Sequence, residues 1–215
     1  MSAGCLRREF EGGWLLAVGL AVASLGACRP SGGGNEDEGH HHDGDVGDHH
    51  DGSDEDTGTA GTRLISHASW SRTSASDDPL ASHRPETVDC PDDASGREQL
   101  QGDASLAVKT DQCNYYSGQQ SLLAPIEKGD RLRARLFHFD LTSDRTAEAH
   151  VAILLDGAVA WEKRLTIPAD GKVDSDVLVP SWKASSSFDT GATVTFHLHN
   201  HGSNQWNFVA FRNMD

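Results

Sequence analysis

Two short tracts in the N-terminal part of the chain place imidazole and carboxylate side chains next to one another. They are His40-His41-His42-Asp43 and Asp48-His49-His50-Asp51. Imidazole nitrogen is a good ligand for Zn, Ni and Cu, and adjacent carboxylates add negative potential. A flexible tract can wrap around such an ion with little geometric selectivity. The competing hypothesis is a low-complexity spacer whose histidines, His40, His41, His42, His49 and His50, bind metal only adventitiously.

A second group of histidines lies near the C-terminus, at His197, His199 and His201. Side chains on a β-strand alternate between its two faces. Phe196 and Leu198 are therefore predicted to face a core, and the three histidines to face the opposite side. Residues two apart on a strand are separated by about 6.5–7 Å, so one strand cannot by itself hold one ion with all three imidazoles.

Two more histidines, His138 and His150, fall on predicted strands. If those strands lie beside the strand that carries His197 and His199, a three-histidine metal site with one open position becomes possible. The alternative is a polar sheet face whose histidines bond to backbone and to neighbouring Asn or Asp side chains. His138 shares the parity of Leu136, and an inward, hydrogen-bonded histidine is the simpler interpretation of that residue.

The same region also suggests a carbohydrate site, because aromatic rings stack on sugar faces while imidazole and amide groups bond sugar hydroxyls. The candidate ligand-binding residues are Tyr115, His197, His199, His201, Asn204 and Trp206. Trp206 alternates with Phe208, and Trp161 shares the parity of Leu165, so core packing is the alternative for both tryptophans.

Enzymatic motifs are absent from the sequence: G-x-S-x-G, H-E-x-x-H and the P-loop do not occur. Glu148 near His150, or Glu162, could serve acid–base chemistry, which keeps an envelope hydrolase as a third hypothesis. Nothing in the spacing favours it over a solvated strand, and we expect no enzymatic activity.

Eight short apolar stretches, separated by Gly, Pro and Asp, predict β-strands. They are Ser105–Thr110, Gln119–Ile126, Arg131–Phe139, Ala149–Leu155, Val159–Ile167, Val177–Val179, Thr193–His199 and Trp206–Phe211. Asp156-Gly157 between two of them is a strong hairpin signal. This spacing predicts an all-β protein, an antiparallel β-sandwich or jelly roll of about eight strands. Residues 64–101 are predicted to add one edge strand.

The order of these elements resembles the galactose-binding-like jelly roll of many carbohydrate-binding modules. The resemblance covers about half of the chain and rests on stretches such as Ser105-Leu106-Ala107-Val108, Lys128-Gly129-Asp130 and Gly191-Ala192-Thr193-Val194. It implies a non-enzymatic module that binds carbohydrate or another envelope component. Ligand sites differ between members of such a fold, so it implies no particular binding residue.

The N-terminus has the layout of a secretory signal: Arg7 and Arg8, an apolar stretch from Trp14, and small residues before Cys28. Its ending, Leu25-Gly26-Ala27-Cys28, resembles the lipobox of bacterial lipoproteins. That resemblance implies removal of residues 1–27, a lipid on Cys28 and anchoring to a bilayer. We expect the outer membrane or the cell surface rather than the cytoplasmic membrane. An ordinary signal peptide with a chance cysteine is the alternative.

The remaining chain divides into a tether and a domain. Residues 28–62 contain ten acidic side chains and one basic one, with Val46 as the only sizeable apolar residue, so they are predicted to be disordered. Residues 63–215 are predicted to form the β-sandwich, with its core in 104–215. The formal charge of −15 argues against nucleic acid as a partner. Cys90 and Cys113 remain for a disulfide, the default in an oxidising compartment.

Overall fold

The long strands follow the sequence pattern in which every second residue is apolar. In the strand Arg131–His138, Leu132, Ala134, Leu136 and His138 are buried, and the residues between them are half-buried or exposed. The computed structural model describes residues 60–215. The predicted signal, Cys28 and both His/Asp tracts therefore lie outside the described residues.

The described residues form fourteen strands and two short 3₁₀ turns. The turns are Ala81–His83 and Asp92–Ala94. The strands are β1 (Thr62–Arg63), β2 (Ser71–Arg72), β3 (Ser95–Leu100), β4 (Asp103–Lys109), β5 (Tyr115–Ser121), β6 (Arg131–His138), β7 (Leu141–Thr142), β8 (Ala147–Leu155), β9 (Ala158–Ile167), β10 (Lys172–Val173), β11 (Asp176–Leu178), β12 (Ser181–Lys183), β13 (Thr193–Asn200) and β14 (Gln205–Asn213). Neither 3₁₀ turn, nor any other helical stretch of residues 60–215, is long and apolar enough to cross a bilayer.

Two antiparallel sheets form the two layers. The seven-stranded sheet has the order β11-β6-β14-β4-β3, with β1 added to β14 and β12 added to β6. The five-stranded sheet has the order β2-β5-β13-β8-β9, and β10 pairs with β7 in a small separate ribbon. The core lies between the layers and includes Phe196 and Leu198 from one sheet and Trp206 and Phe208 from the other. The predicted all-β class, an antiparallel sandwich of jelly-roll type, is confirmed.

All eight predicted strands are present, with ends that move by up to five residues. The largest shift is in β5, which spans Tyr115–Ser121 where Gln119–Ile126 was predicted. The expected edge strand is β3, which lies at the end of the seven-stranded sheet beside β4, and β2 is a second edge strand on the other sheet. The core also begins earlier than the predicted residue 104, because Leu64 and Ile65 are fully buried in it.

Two local predictions are also confirmed. Asp156 and Gly157 connect β8 to β9 with positive φ values of 47° and 79°, as a two-residue hairpin of this twist requires. Cys90 and Cys113 form a disulfide. The bond joins the segment before β3 to the turn between β4 and β5, so it fastens a polar stretch with few apolar anchors onto the sandwich.

We expect loss of this disulfide to lower the free energy of unfolding by about 3 kcal/mol, because the cross-link restricts the unfolded chain. The comparison is urea unfolding of the wild type against the double variant Cys90→Ser/Cys113→Ser. Reductant should bring the wild type to the midpoint of the double variant and leave the double variant unchanged. Equal stability of the two oxidised proteins would contradict a stabilising role.

Candidate functional site

The histidines of β13 lie on the side of the five-stranded sheet that faces away from the core. Val194, Phe196 and Leu198 belong to the core, and His197 and His199 alternate with them along the strand. β13 is central in its sheet, so its neighbours supply the rest of the cluster. His199 pairs directly with both Tyr115 of β5 and His150 of β8.

Ring contacts show which of these side chains meet. The ring centroid of His197 lies 5.0 Å from that of His150 and 5.0 Å from that of Tyr115. His201, beyond the end of β13, contacts His199 with centroids 4.4 Å apart. The structure thus brings together five of the residues singled out from the sequence, His150, His197, His199, His201 and Tyr115.

This face of the sheet is covered by residues 73–90, called here the covering segment. Its Asp78 accepts hydrogen bonds from the Tyr115 hydroxyl at 2.6 Å and the Ser117 hydroxyl at 3.2 Å. Arg84 lies 3.3 Å from the same carboxylate and packs over the Tyr115 ring. As a result His197 is 0% exposed, His150 3% and Tyr115 2%. A sheet face that the sequence suggested to be solvated is an interior layer.

The covering segment also contributes an imidazole that sequence analysis missed. His83, in the first 3₁₀ turn, has its ring centroid 5.1 Å from that of His150 and 6.3 Å from that of His197. No local periodicity marks His83, because its segment consists of polar residues and turns. Only the long-range packing of residues 73–90 on β5, β13 and β8 reveals it.

Burial controls the electrostatics of the cluster. It lowers the pKa of His197 to about 3, with a further contribution from His150. Burial, and then His201, lower the pKa of His199 to about 4. Burial also lowers the pKa of His150, opposed by the hydrogen bond to Glu162. These three imidazoles are therefore neutral at pH 7 and each keeps one nitrogen lone pair.

Few of these ring nitrogens are hydrogen-bonded. Nε2 of His150 lies 2.8 Å from Oε2 of Glu162. Within residues 60–215, Nδ1 of His150, both ring nitrogens of His197 and Nε2 of His199 are buried without a hydrogen-bond partner. Across the same residues, no three His, Cys, Asp or Glu side chains already stand in position to hold a metal ion.

His138 does not belong to this cluster, so the hypothesis of a metal site that includes it is wrong. It lies on the core side of β6, in the other sheet, with its ring 4.7 Å from that of Trp206. Its Nδ1 is 2.9 Å from the carbonyl oxygen of Phe139. The simpler interpretation, an inward histidine with a hydrogen bond, describes its position.

Four of the six carbohydrate candidates, Tyr115, His197, His199 and His201, belong to the cluster described above. Trp206 is 0% exposed in the core and Tyr115 is covered, so neither has a ring face open to a sugar. Asn204 and His201 are exposed and line two different shallow surface grooves. The acid–base candidates are engaged elsewhere, since Glu148 is paired with Arg164 at 2.6 Å and Glu162 with His150.

The outer side of the seven-stranded sheet carries a second group of polar and aromatic side chains. One transverse row of directly paired residues crosses five strands: Val177, Phe137, Asn207, Ala107 and Gly96. Val177 is 47% exposed. Phe139, 37% exposed, packs edge-on against Phe137 with centroids 4.8 Å apart. At the far end, nothing lies within 4 Å of the position that a Cβ would take on Gly96. The row therefore runs from the exposed Val177, past the buried Asn207 and Ala107, to the open position of Gly96.

Polar side chains on this face form a connected network. Asn207 Nδ2 donates to Ser105 Oγ at 3.0 Å. Gln205 Nε2 donates to Glu98 Oε2 at 3.0 Å and to Asn207 Oδ1 at 3.2 Å. Arg135 and Asp103 form an ion pair nearby at 2.6 Å. The polar network (Glu98, Ser105, Gln205 and Asn207) thus lies directly beside Phe137 and Phe139.

A groove of about 440 Å³ continues from the edge of this sheet towards the other layer. Gly96, the last residue of the transverse row, lines it together with Trp70, Arg72 and Tyr116. Burial raises the pKa of Tyr116 to about 12, and Arg72 packs over its ring. The groove therefore places aromatic and cationic groups at the open end of the row.

Comparison with known proteins finds similarity among solved structures only. No family model matches it, and no curated protein matches it. Among solved structures, a carbohydrate-binding module specific for non-crystalline cellulose (CBM28) is 9% identical with a TM-score of 0.41, over 74% of this chain and 96% of that one. The family 11 module from Clostridium thermocellum, in complex with a β-1,3-1,4-mixed-linked tetrasaccharide, is 12% identical with a TM-score of 0.40, over 73% and 97%.

An arabinose-bound GH51 α-L-arabinofuranosidase is 12% identical with a TM-score of 0.39. That similarity covers 70% of this chain and only 24% of the enzyme, so this chain spans about a quarter of the enzyme's length. Structural similarity with TM-scores of 0.39 to 0.41 is distant, and it does not identify a ligand for this chain.

We expect Tyr115→Phe to lower the free energy of unfolding by about 1–3 kcal/mol, because it removes a hydrogen bond to the buried carboxylate of Asp78. The matched control is Tyr116→Phe, since no hydrogen bond of the Tyr116 hydroxyl is seen within residues 60–215. Urea unfolding of the three proteins gives the comparison. Similar losses in both variants would show that the Asp78 contact does not fasten the covering segment.

Proposed function

We propose that the sandwich is a non-enzymatic carbohydrate-binding module whose glycan lies across the outer face of the seven-stranded sheet. The observation that carries the proposal is the polar network beside the half-buried Phe137 and the exposed Phe139 on the outer side of the seven-stranded sheet. An isolated exposed apolar residue needs no explanation. Phe137, Phe139 and Val177 are adjacent, however, and a contiguous apolar patch rimmed by polar groups is typical of a binding surface.

The chemistry of this face suits a sugar. A pyranose presents C–H groups that pack on aromatic rings and hydroxyls that both donate and accept hydrogen bonds. The partly exposed amide of Gln205 carries donors and acceptors together, while Glu98 accepts and Arg135 donates. The buried Asn207 orients Gln205 by accepting its hydrogen bond. These groups are already oriented by their mutual hydrogen bonds, so little side-chain entropy remains to be lost on binding.

Charge and size narrow the ligand to a neutral oligosaccharide. Residues 63–215 carry a formal charge of about −6, which disfavours polyanionic glycans. Adjacent strands lie about 4.8 Å apart, so a row across five strands spans about 19 Å. That length accommodates several sugar units of one chain rather than a single monosaccharide.

We also propose that the module is displayed from a membrane by a lipid on Cys28. The support is the N-terminal sequence: paired arginines, a short apolar stretch and the Leu25-Gly26-Ala27-Cys28 ending. An acidic Gly-rich tether after the anchor would let the module reach a glycan away from the bilayer, at the outer membrane or the cell surface.

We expect Phe139→Ala and Gln205→Ala each to weaken binding of a neutral oligosaccharide about tenfold, because each removes one part of the contact surface. The control is Leu123→Ala, which truncates an apolar residue (44% exposed) comparable in exposure to Phe139 (37%) and adjoining the five-stranded sheet. Glycan-array screening of the wild type selects the ligand, and calorimetry then compares the variants. A glycan that binds wild type, Phe139→Ala and Gln205→Ala equally would place its site elsewhere. Retention of no neutral glycan would refute the carbohydrate proposal.

For the anchor, we expect the wild type expressed in a bacterium to partition into the detergent phase and to incorporate radiolabelled fatty acid. Cys28→Ser should abolish both, because the thiol is the group that takes the lipid. Cys5→Ser is the matched control and should leave both unchanged. Labelling that persists in Cys28→Ser would contradict a lipid at this residue.

A further inference from the structure

We propose that His83, His150 and His197 form a binding site for one divalent transition-metal ion, such as Zn²⁺ or Cu²⁺, beneath the covering segment. The three imidazoles come from three separate elements: the first 3₁₀ turn, β8 and β13. This site lies on the outer side of the five-stranded sheet, whereas the proposed glycan face belongs to the other sheet. The inference does not depend on carbohydrate binding.

The spacing of the rings is close to that of imidazoles around a single ion. A Zn–N bond of about 2.0–2.1 Å places the ion about 3.2 Å from the ring centre, and tetrahedral angles then separate two ring centres by about 5.2 Å. The observed separations are 5.0 Å for His150–His197, 5.1 Å for His83–His150 and 6.3 Å for His83–His197. Two of the three distances match, and a movement of His83 by about 1 Å would correct the third.

Unpaired nitrogen atoms point to a ligand at the same place. His197 is 0% exposed, and neither of its ring nitrogens has a hydrogen-bond partner among residues 60–215. Nδ1 of the neighbouring His150 is equally buried and unpaired there. Buried polar atoms are nearly always satisfied in native proteins, and two adjacent imidazoles with unpaired nitrogens are costly. Coordination of a cation by one nitrogen of each ring removes most of that cost.

A carboxylate supports one of the proposed ligands in the usual way. Nε2 of His150 lies 2.8 Å from Oε2 of Glu162, on the adjacent strand β9. Metal-bound histidines generally donate their second N–H to a carboxylate or carbonyl, which orients the ring and strengthens the ligand. This hydrogen bond leaves Nδ1 of His150, the unpaired atom, to face the ion.

Metal binding requires the rings to turn, because no three donors of residues 60–215 converge on one point as they stand. His83 is suited to that movement, since it is only half-buried in a three-residue turn with no buried residue. Imidazole nitrogen is a ligand of borderline softness, so the site favours Zn²⁺ and Cu²⁺ over Mg²⁺ or Ca²⁺.

The test uses the full chain with the N-terminal tracts disabled, because those tracts would bind metal on their own. This background, the tract-free chain, carries His40→Asn, His41→Asn, His42→Asn, His49→Asn and His50→Asn. Titration with Co²⁺ is followed by its visible absorption, which is intense only in a tetrahedral site, and Zn²⁺ should then displace it. We expect one ion per chain with a Kd below roughly 100 µM.

Three variants of the tract-free chain locate the site. His83→Asn, at a half-buried turn position, and Glu162→Gln, at an exposed one, should keep the fold, and each should weaken binding about tenfold or more. His197→Gln should abolish the tetrahedral spectrum, with circular dichroism reporting whether it folds. His201→Asn, an exposed imidazole outside the trio, is the matched control and should bind as the parent does.

Two results would overturn the proposal. One is a tract-free chain that shows no tetrahedral Co²⁺ spectrum and no Zn²⁺ binding up to roughly 100 µM. The other is His83→Asn binding as tightly as its parent. Glycan affinity of the same preparations is a separate readout, so failure of either site is distinguishable from failure of the other.

Discussion

The stack of Phe196 on Phe208 joins the two sheets, and the orientation of both proposed sites depends on it. The rings lie 4.8 Å apart at an angle of 24°. Because side chains alternate along a strand, fixing Phe196 inward turns His197 outward, and fixing Phe208 inward turns Asn207 outward. A register slip of one residue on either strand would exchange core and site residues. The same aromatic contact therefore determines the core and the chemistry of both outer faces.

The covering segment is held by polar contacts rather than by a large apolar surface. Asp78 is almost fully buried and receives hydrogen bonds from Tyr115 and Ser117, and the disulfide fastens the end of the segment at Cys90. A buried carboxylate is tolerated only with such partners, so these bonds specify where the segment lies. With the five-stranded sheet covered, exposed apolar side chains beside a polar network, Phe139 and Val177, lie on the outer side of the seven-stranded sheet.

Local sequence patterns predicted much of this fold because strand periodicity and turn chemistry are local properties. Strand β6 alternates apolar and polar residues, and Asp156-Gly157 forms the turn expected of it. Strand order is not local, which is why His138 was grouped with His150 although the two lie in different sheets. The place of His83 beside His150 could not be predicted either, because it depends on the long-range packing of the covering segment. The outward position of Phe137 could have been predicted, because it follows the buried Leu136 directly along β6.

The two outer faces differ in a way that separates their chemistry. On the outer side of the seven-stranded sheet, Glu98 and Gln205 are oriented by hydrogen bonds and remain partly exposed, so a sugar can exchange hydroxyl contacts with them at little cost in desolvation. Under the covering segment His150 and His197 are buried, and within the described chain Nδ1 of His150 and both ring nitrogens of His197 have no hydrogen-bond partner. A neutral sugar could reach these imidazoles only by displacing the covering segment. A single cation needs only the nitrogen lone pairs of the imidazoles and a shift of His83. The covered outer side of the five-stranded sheet therefore suits an ion, and the outer side of the seven-stranded sheet suits a glycan.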